Sequence, residues 1–165
     1  MAKCLRQDPF EYRRFDQHSL LARALGREVA DACYVTYRTG VAPHTGLSAR
    51  IELLVTDADT AESFRSGSVP VLATPRLMAL CEEASCKAIE DSLPDKFTSV
   101  AKRTQFDHLV PVGVGSTVWA EATLDRIEGR RLVFTLSVSE SSGLVAAGKL
   151  VRVIVERETF LANVR

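Results

Sequence analysis

Thr74 and Glu82 open the question of what this chain does, because both stand on one helix-like stretch, residues 72–93, reading LATPRLMALCEEASCKAIEDSL. At about 100° per residue, Leu77, Leu80, Cys81, Ala84 and Ala88 form one apolar sector, which Met78, Ser85 and Ile89 extend on one side. Glu83, Lys87 and Glu90 form a solvated sector. Glu82 falls outside it, at the margin beside Met78, Ile89, Cys86 and Leu93. A carboxylate there is costly unless it is paired, hydrogen-bonded or used in chemistry. Glu82 is therefore a candidate general base, activating water or orienting Thr74. The bland alternative is a boundary residue paired with an arginine.

Thr74 itself reads as the N-cap of that helix, with Pro75 in the first helical position, where no donor is missed. The same helix start offers N–H groups and a partial positive charge to an oxyanion, so capping and substrate contact are compatible. His108, in FDHLVP, ends a strand at a bend; it is either an acid–base group or an ordinary rim histidine. Arg152 interrupts the apolar run LVRVIV. A buried guanidinium there needs an anionic partner: Glu82, another side chain or a ligand phosphate. Cys81 lies on the core face, where a thiol is a packing residue rather than a nucleophile for His108. His18 and His44 have no such setting.

The elements that must position these residues are legible in order. Residues 1–16 show no period and read as an extended arm. Leu21, Leu25, Val29 and Ala32 recur at helical spacing over residues 18–33, although Gly26 interrupts it. Residues 49–56 alternate as a strand, with Ala49, Ile51, Leu53 and Val55 on one face. A polar stretch follows, turning at Ser66-Gly67-Ser68, and VPVLA delivers the chain into the central helix, which stops before Pro94. The remainder is expected to be β to its end: strands over 97–108, 117–127, 132–140 and 144–156. Glu128-Gly129-Arg130-Arg131 and Ser141-Ser142-Gly143 form the later turns. The last strand is apolar almost throughout, so it is expected to be covered on both faces. One long helix beside an antiparallel sheet is an α+β architecture. Residues 1–47 form an N-terminal arm and helix, and residues 48–165 the main domain.

Composition narrows the function classes. With 165 residues, 46% hydrophobic and 25% charged, the chain is one ordinary globular domain with an N-terminal addition. Lys plus Arg equals Asp plus Glu at 21 each, so no global field calls for nucleic acid or an anionic membrane. No apolar run approaches the roughly 20 residues that span a bilayer. The four cysteines lack disulfide or zinc spacing, no set of His, Cys, Asp and Glu has metal spacing, and no metal or cofactor is expected. VPVGVGS sits between strands without a following lysine and helix, unlike a phosphate-binding loop. MAKCLRQDPFEYRRF has no signal-peptide core, and Asp8 and Glu11 come early for a transit segment. The expected compartment is the cytoplasm, with the mitochondrion as alternative.

The segments GSVPVLATPRLMALCEEAS, VPVGVGSTVWAEATL, IEGRRLVFTLSV and GKLVRVIVERETF together resemble the hotdog-fold thioesterases, and within them the fluoroacetyl-CoA thioesterase-like group. The similarity spans about residues 48–164, roughly seven-tenths of the chain. It implies a hotdog fold, a central helix wrapped by a curved antiparallel sheet, here with an extra N-terminal helical segment. It also implies hydrolysis of a small or medium acyl-CoA thioester. The family's catalytic threonine and glutamate match Thr74 and Glu82. Aligned without gaps on VPVG, the family's histidine position holds Phe106, and His108 follows two residues later. That step keeps the strand face but displaces the ring by about 6–7 Å. Ser99 matches a backbone-contacting glycine, and Arg152 an arginine near the acyl pocket. The resemblance thus makes Thr74, Glu82 and His108 the catalytic candidates and Ser99, Phe106 and Arg152 the substrate-binding ones. Phe106 in the histidine position favours the alternative of a non-catalytic acyl-CoA or small-acyl binding protein. One curved sheet covers one side of a helix, so a homodimer with sites near its interface is expected.

Overall fold

The computed structural model describes residues 42–164. The arm over residues 1–16 and the helix over residues 18–33 lie outside the described residues, and the 1–47 segment is described only from residue 42. The described chain runs through β1 (Ser48–Leu54), a 3-10 turn (Asp57–Asp59), α1 (Thr74–Ile89), a second 3-10 turn (Glu90–Ser92), β2 (Phe97–His108), β3 (Thr117–Glu128), β4 (Arg131–Glu140), β5 (Gly143–Glu156) and α2 (Arg157–Ala162). All strand pairs are antiparallel, in the order β1-β3-β4-β5-β2. This is the α+β arrangement that the periodicities predict.

The core is the seam between α1 and one face of the sheet. Leu77, Leu80, Cys81 and Ala84 are buried from the helix. They meet Val118, Ala120, Ala122 and Leu124 of β3 and Leu132, Phe134, Leu136 and Val138 of β4, all at 1% exposure or less. Alternation at period two thus selected the inward set correctly, and small alanines on β3 give the helix room to approach. Gly129, with φ 61°, opens the two-residue turn that joins β3 to β4.

Three expectations are corrected. Thr74 does not cap α1: Ala73 is the N-cap, no side chain caps the end, and Thr74 is the first helical residue. Its hydroxyl is engaged elsewhere, as described below. The chain does not stay β to its end: α2 follows β5, and the Glu156 carboxylate accepts from the Thr159 N–H at 2.7 Å, satisfying an orphan donor of that helix. Finally, β5 is interior in the sheet, between β4 and β2, but not covered on both faces. Leu150, Arg152 and Ile154 face α1 and are buried, whereas Val151, Val153 and Val155 are half-exposed among the described residues.

A bulge in β2 matters for function. Between Ala101 and Arg103 the pairing with β5 skips Lys102. One extra residue reverses the in–out alternation. Ser99 before the bulge and Phe106 and His108 after it therefore share the face turned towards α1. Sequence alternation alone would have put odd and even positions on opposite sides.

Candidate active site

Thr74 and His108 meet where α1 begins and β2 ends. The Thr74 Oγ1 lies 3.0 Å from the His108 Nδ1. With hydrogen on Nε2, Nδ1 accepts from the hydroxyl; in the other tautomer it donates. The loop after β2 is held at the same place. Leu109 and Val110 both donate backbone N–H bonds to the Val145 carbonyl, and the Leu72 N–H donates to the Val112 carbonyl at 2.8 Å. Residues 109–113 and the entry to α1 are thereby fixed against each other.

An open cleft of about 340 Å³ lies over this pair, with Leu72, Thr74 and Pro75 on one side and His108, Leu109 and Val110 on the other. Thr74 is exposed to it. Burial lowers the His108 pKa below the ordinary 6.5, against a smaller upward pull from the Val110 backbone. The imidazole is thus held in its neutral, proton-accepting form around neutrality. Its Nε2 is buried and has no hydrogen-bond partner among the described residues. The first turn of a helix leaves backbone N–H groups without intrahelical partners. Here those of Thr74 and Arg76 remain, since Pro75 has none. A base, a hydroxyl and a helix N-terminus converge on one cleft, which is equipment for attack on a carbonyl.

Glu82 belongs to a second polar group. Eight residues along α1 separate it from Thr74 by about 12 Å of axial rise. Its side chain is 39% exposed, and its Oε2 stands 3.9 Å from Arg152 Nη1. Arg152 is 4% exposed and its main partners are neutral. Its Nε donates to Ser99 Oγ at 2.8 Å, its Nη2 to the Ser99 carbonyl at 2.8 Å, and its Nη1 to Ser85 Oγ at 3.2 Å. The buried cation that sequence reading flagged is thus satisfied chiefly by hydrogen bonds, with Glu82 as a loose counter-charge. Ser99 lies in this group, not beside Thr74.

Phe106 and His108 take different places on the helix-facing side of β2. The side chain that reaches Thr74 is His108, with no displacement to bridge, and Phe106 instead packs against the core opposite Gly148. Cys81 is inert as expected of a core thiol: burial, and secondarily the charge of Glu82, push its pKa to about 12. Cys86, placed at the helix margin by periodicity, is exposed.

Two partners escaped sequence reading. Ser85 was legible only as a small residue on an apolar face, yet it is fully buried and accepts from Arg152. Asp59 sat unremarked in the polar stretch after β1. It is 9% exposed and its Oδ1 accepts from Arg76 Nε at 2.8 Å. The signal available was T-D-A-D, a threonine followed three residues later by an acid, which is a capping pattern. Among the described residues, no cluster of His, Cys, Asp and Glu could hold a metal ion, and no helix is long and apolar enough to cross a membrane.

Comparison with known proteins bears on the family and the fold. A family model described as fluoroacetyl-CoA-specific thioesterase (FlK) matches residues 55–158. Among solved structures, the chain is similar to a hot-dog-like protein from Thermanaerovibrio acidaminovorans, with 27% identity over 72% of this chain and 87% of that one and a TM-score of 0.67. A mutant of the fluoroacetyl-CoA-specific thioesterase FlK aligns at 24% identity over 74% of this chain and 96% of that one, with a TM-score of 0.69. A hypothetical protein of Thermus thermophilus, a thioesterase superfamily member, aligns at 24% identity over 72% and 88%, with a TM-score of 0.67. No curated protein matches the chain. The fold is the hotdog fold.

Proposed function

Because this chain belongs to the fluoroacetyl-CoA-specific thioesterase family, we propose that it hydrolyses an acyl-CoA, releasing a free acid and CoA. The observation that carries this reading is the 3.0 Å contact between Thr74 and His108 at the mouth of the cleft. The thioester carbonyl lies at the start of α1, its oxygen towards the N–H groups of Thr74 and Arg76. His108, held neutral by burial, takes a proton at Nδ1 from the Thr74 hydroxyl, which in turn takes one from the attacking water that it orients. The tetrahedral intermediate places its negative charge at the helix N-terminus. The C–S bond then breaks, and the imidazolium returns its proton to the CoA thiolate. The resemblance further assigns Glu82 as a base. In that role Glu82 acts from the Arg152 side of the helix, apart from the Thr74–His108 pair.

The cleft is small and open, which suits a small or medium acyl group. Leu109 and Val110, which line it, are exposed apolar side chains, as is Val114 a few residues on. They support a homodimer in which a second copy covers this face. A monomer at micromolar concentration in sedimentation would contradict that. The alternative is a non-catalytic acyl-CoA or small-acyl binding protein, which Phe106 standing in the family's histidine position favours. The test is release of free thiol from short, medium and aryl acyl-CoAs. Turnover of at least one is expected. A chain that none of them reacts with, but whose melting temperature acyl-CoA raises, is a binding protein.

A further inference from the structure

Resting on the hydrolase reading, the geometry points to Asp59 as a positioning residue that sets Thr74 against His108. Asp59 lies 15 positions before Thr74 in the sequence, in the turn after β1, and touches neither the cleft nor His108 in any contact described above. Yet it grips α1 on both sides of Thr74. Its carbonyl accepts the Ala73 N–H at 2.9 Å, immediately before Thr74. Its carboxylate accepts from Arg76 Nε at 2.8 Å, two residues after. The same carboxylate is anchored from behind, since its other oxygen accepts from the Thr56 N–H at 2.9 Å and the Thr56 hydroxyl at 2.7 Å.

The grip replaces what the helix start lacks. Ala73 has no side chain able to cap, and Pro75 offers no donor, so α1 has no local device to fix its first turn. The neighbouring backbone completes the strap: the Ala61 N–H donates to the Val71 carbonyl at 2.8 Å, and Thr60 bridges to Leu72. Asp59 is the only link of this strap that reaches past Thr74 into the helix among the hydrogen bonds described. Three donors converging on one carboxylate outweigh its burial and hold its pKa below the ordinary 3.8, so the gripping form is the charged one. A catalytic pair misplaced by about 1 Å loses on the order of 10²-fold in rate, so a residue that holds the backbone before Thr74 and the Arg76 side chain after it controls rate without touching substrate.

The experiment uses Asp59→Asn and Arg76→Met in the full chain. Asp59→Asn keeps the size but cannot accept from Arg76 and Thr56 together. Arg76→Met removes only the tether to the helix and keeps the Thr56 anchor, so it decides the matter if Asp59→Asn does not fold. With the acyl-CoA turned over best, kcat is expected to fall about 10–100-fold while KM stays within about twofold. In a Thr74→Ala background the same substitutions are expected to lower kcat no further. The 15N resonance of His108 Nδ1 is expected to move from its wild-type value towards that of Thr74→Ala. A folded variant with an unmoved Nδ1 resonance, or a kcat loss that persists undiminished in Thr74→Ala, overturns the proposal. Should the wild-type chain hydrolyse no acyl-CoA, the hydrolase reading falls alone, and the resonance decides on Asp59.

Discussion

The Thr74 hydroxyl and the His108 imidazole lie 3.0 Å apart although 34 residues separate them in the chain. The contact joins the first residue of α1 to the last residue of β2, and it forms because the Lys102 bulge turns His108 to the helix side. It also explains why Thr74 is not a cap: the hydroxyl that would fold back on its own helix is taken by the strand. If this pair is the acid–base centre, His108→Asn and Thr74→Ala should each lower kcat/KM by about 10²–10⁴-fold. The double variant should be little worse than the more damaged single one, since the two act as a unit. Independent, multiplying losses in steady-state assays would separate them.

The pH profile follows from the same histidine. Burial lowers its pKa beneath 6.5, and the base must be neutral to accept a proton. The acid limb of kcat/KM should therefore fall below pH 6.5, leaving more than half of the plateau rate at that pH. Linkage runs the same way. The unfolded chain takes up the proton first as pH drops, so stability is full above about 6.5 and is lost as pH falls through the lower folded value. Urea titrations across this range should show that slope in the wild type and not in His108→Asn.

Glu82 offers a sharper contrast than its neighbour. Glu82→Gln keeps volume and removes the charge. Because the carboxylate is 39% exposed and 3.9 Å from an arginine already bonded to Ser85 and Ser99, the stability cost should be at most about 1 kcal/mol. If Glu82 is a base, turnover should fall by about 10²–10⁴-fold. Glu83→Gln, in the solvated sector, should change neither. Equal mild effects in thiol release and melting temperature would remove Glu82 from the reaction.

Gly148 reports on the packing beneath Phe106. A Cβ there would stand 2.3 Å from the Gln105 carbonyl oxygen and 3.0 Å from the Phe106 ring. Backbone cannot yield as a side-chain tip does, so Gly148→Ala should cost about 1–3 kcal/mol of stability. It should also lower kcat, because the displaced strand segment leads directly into His108. Unchanged urea midpoints would show that β2 slides freely over β5.

Local patterning determined much of this protein. The 3.6-residue period placed Leu77, Leu80, Cys81, Ala84 and Ala88 in the core, and the two-residue period did the same for β3 and β4. These periods follow from backbone geometry, which each short segment carries within itself. The suspicion about Arg152 was also local, since a guanidinium in an apolar strand is costly wherever that strand sits. The C-terminal helix α2 escaped because its start depends on Glu156, an acid that reads equally well as the end of a strand. What only the tertiary structure decided were the partners. His108 reaches Thr74 because one bulged residue reverses the alternation of β2 and turns Phe106 and His108 together to the helix side, and a bulge leaves no mark in a pattern read by counting. Ser85 and Ser99 became the ligands of Arg152, and Asp59 the tether of α1, because hydrogen bonds are directional and short. They select whichever groups the fold brings within about 3 Å, however far apart those groups lie along the chain.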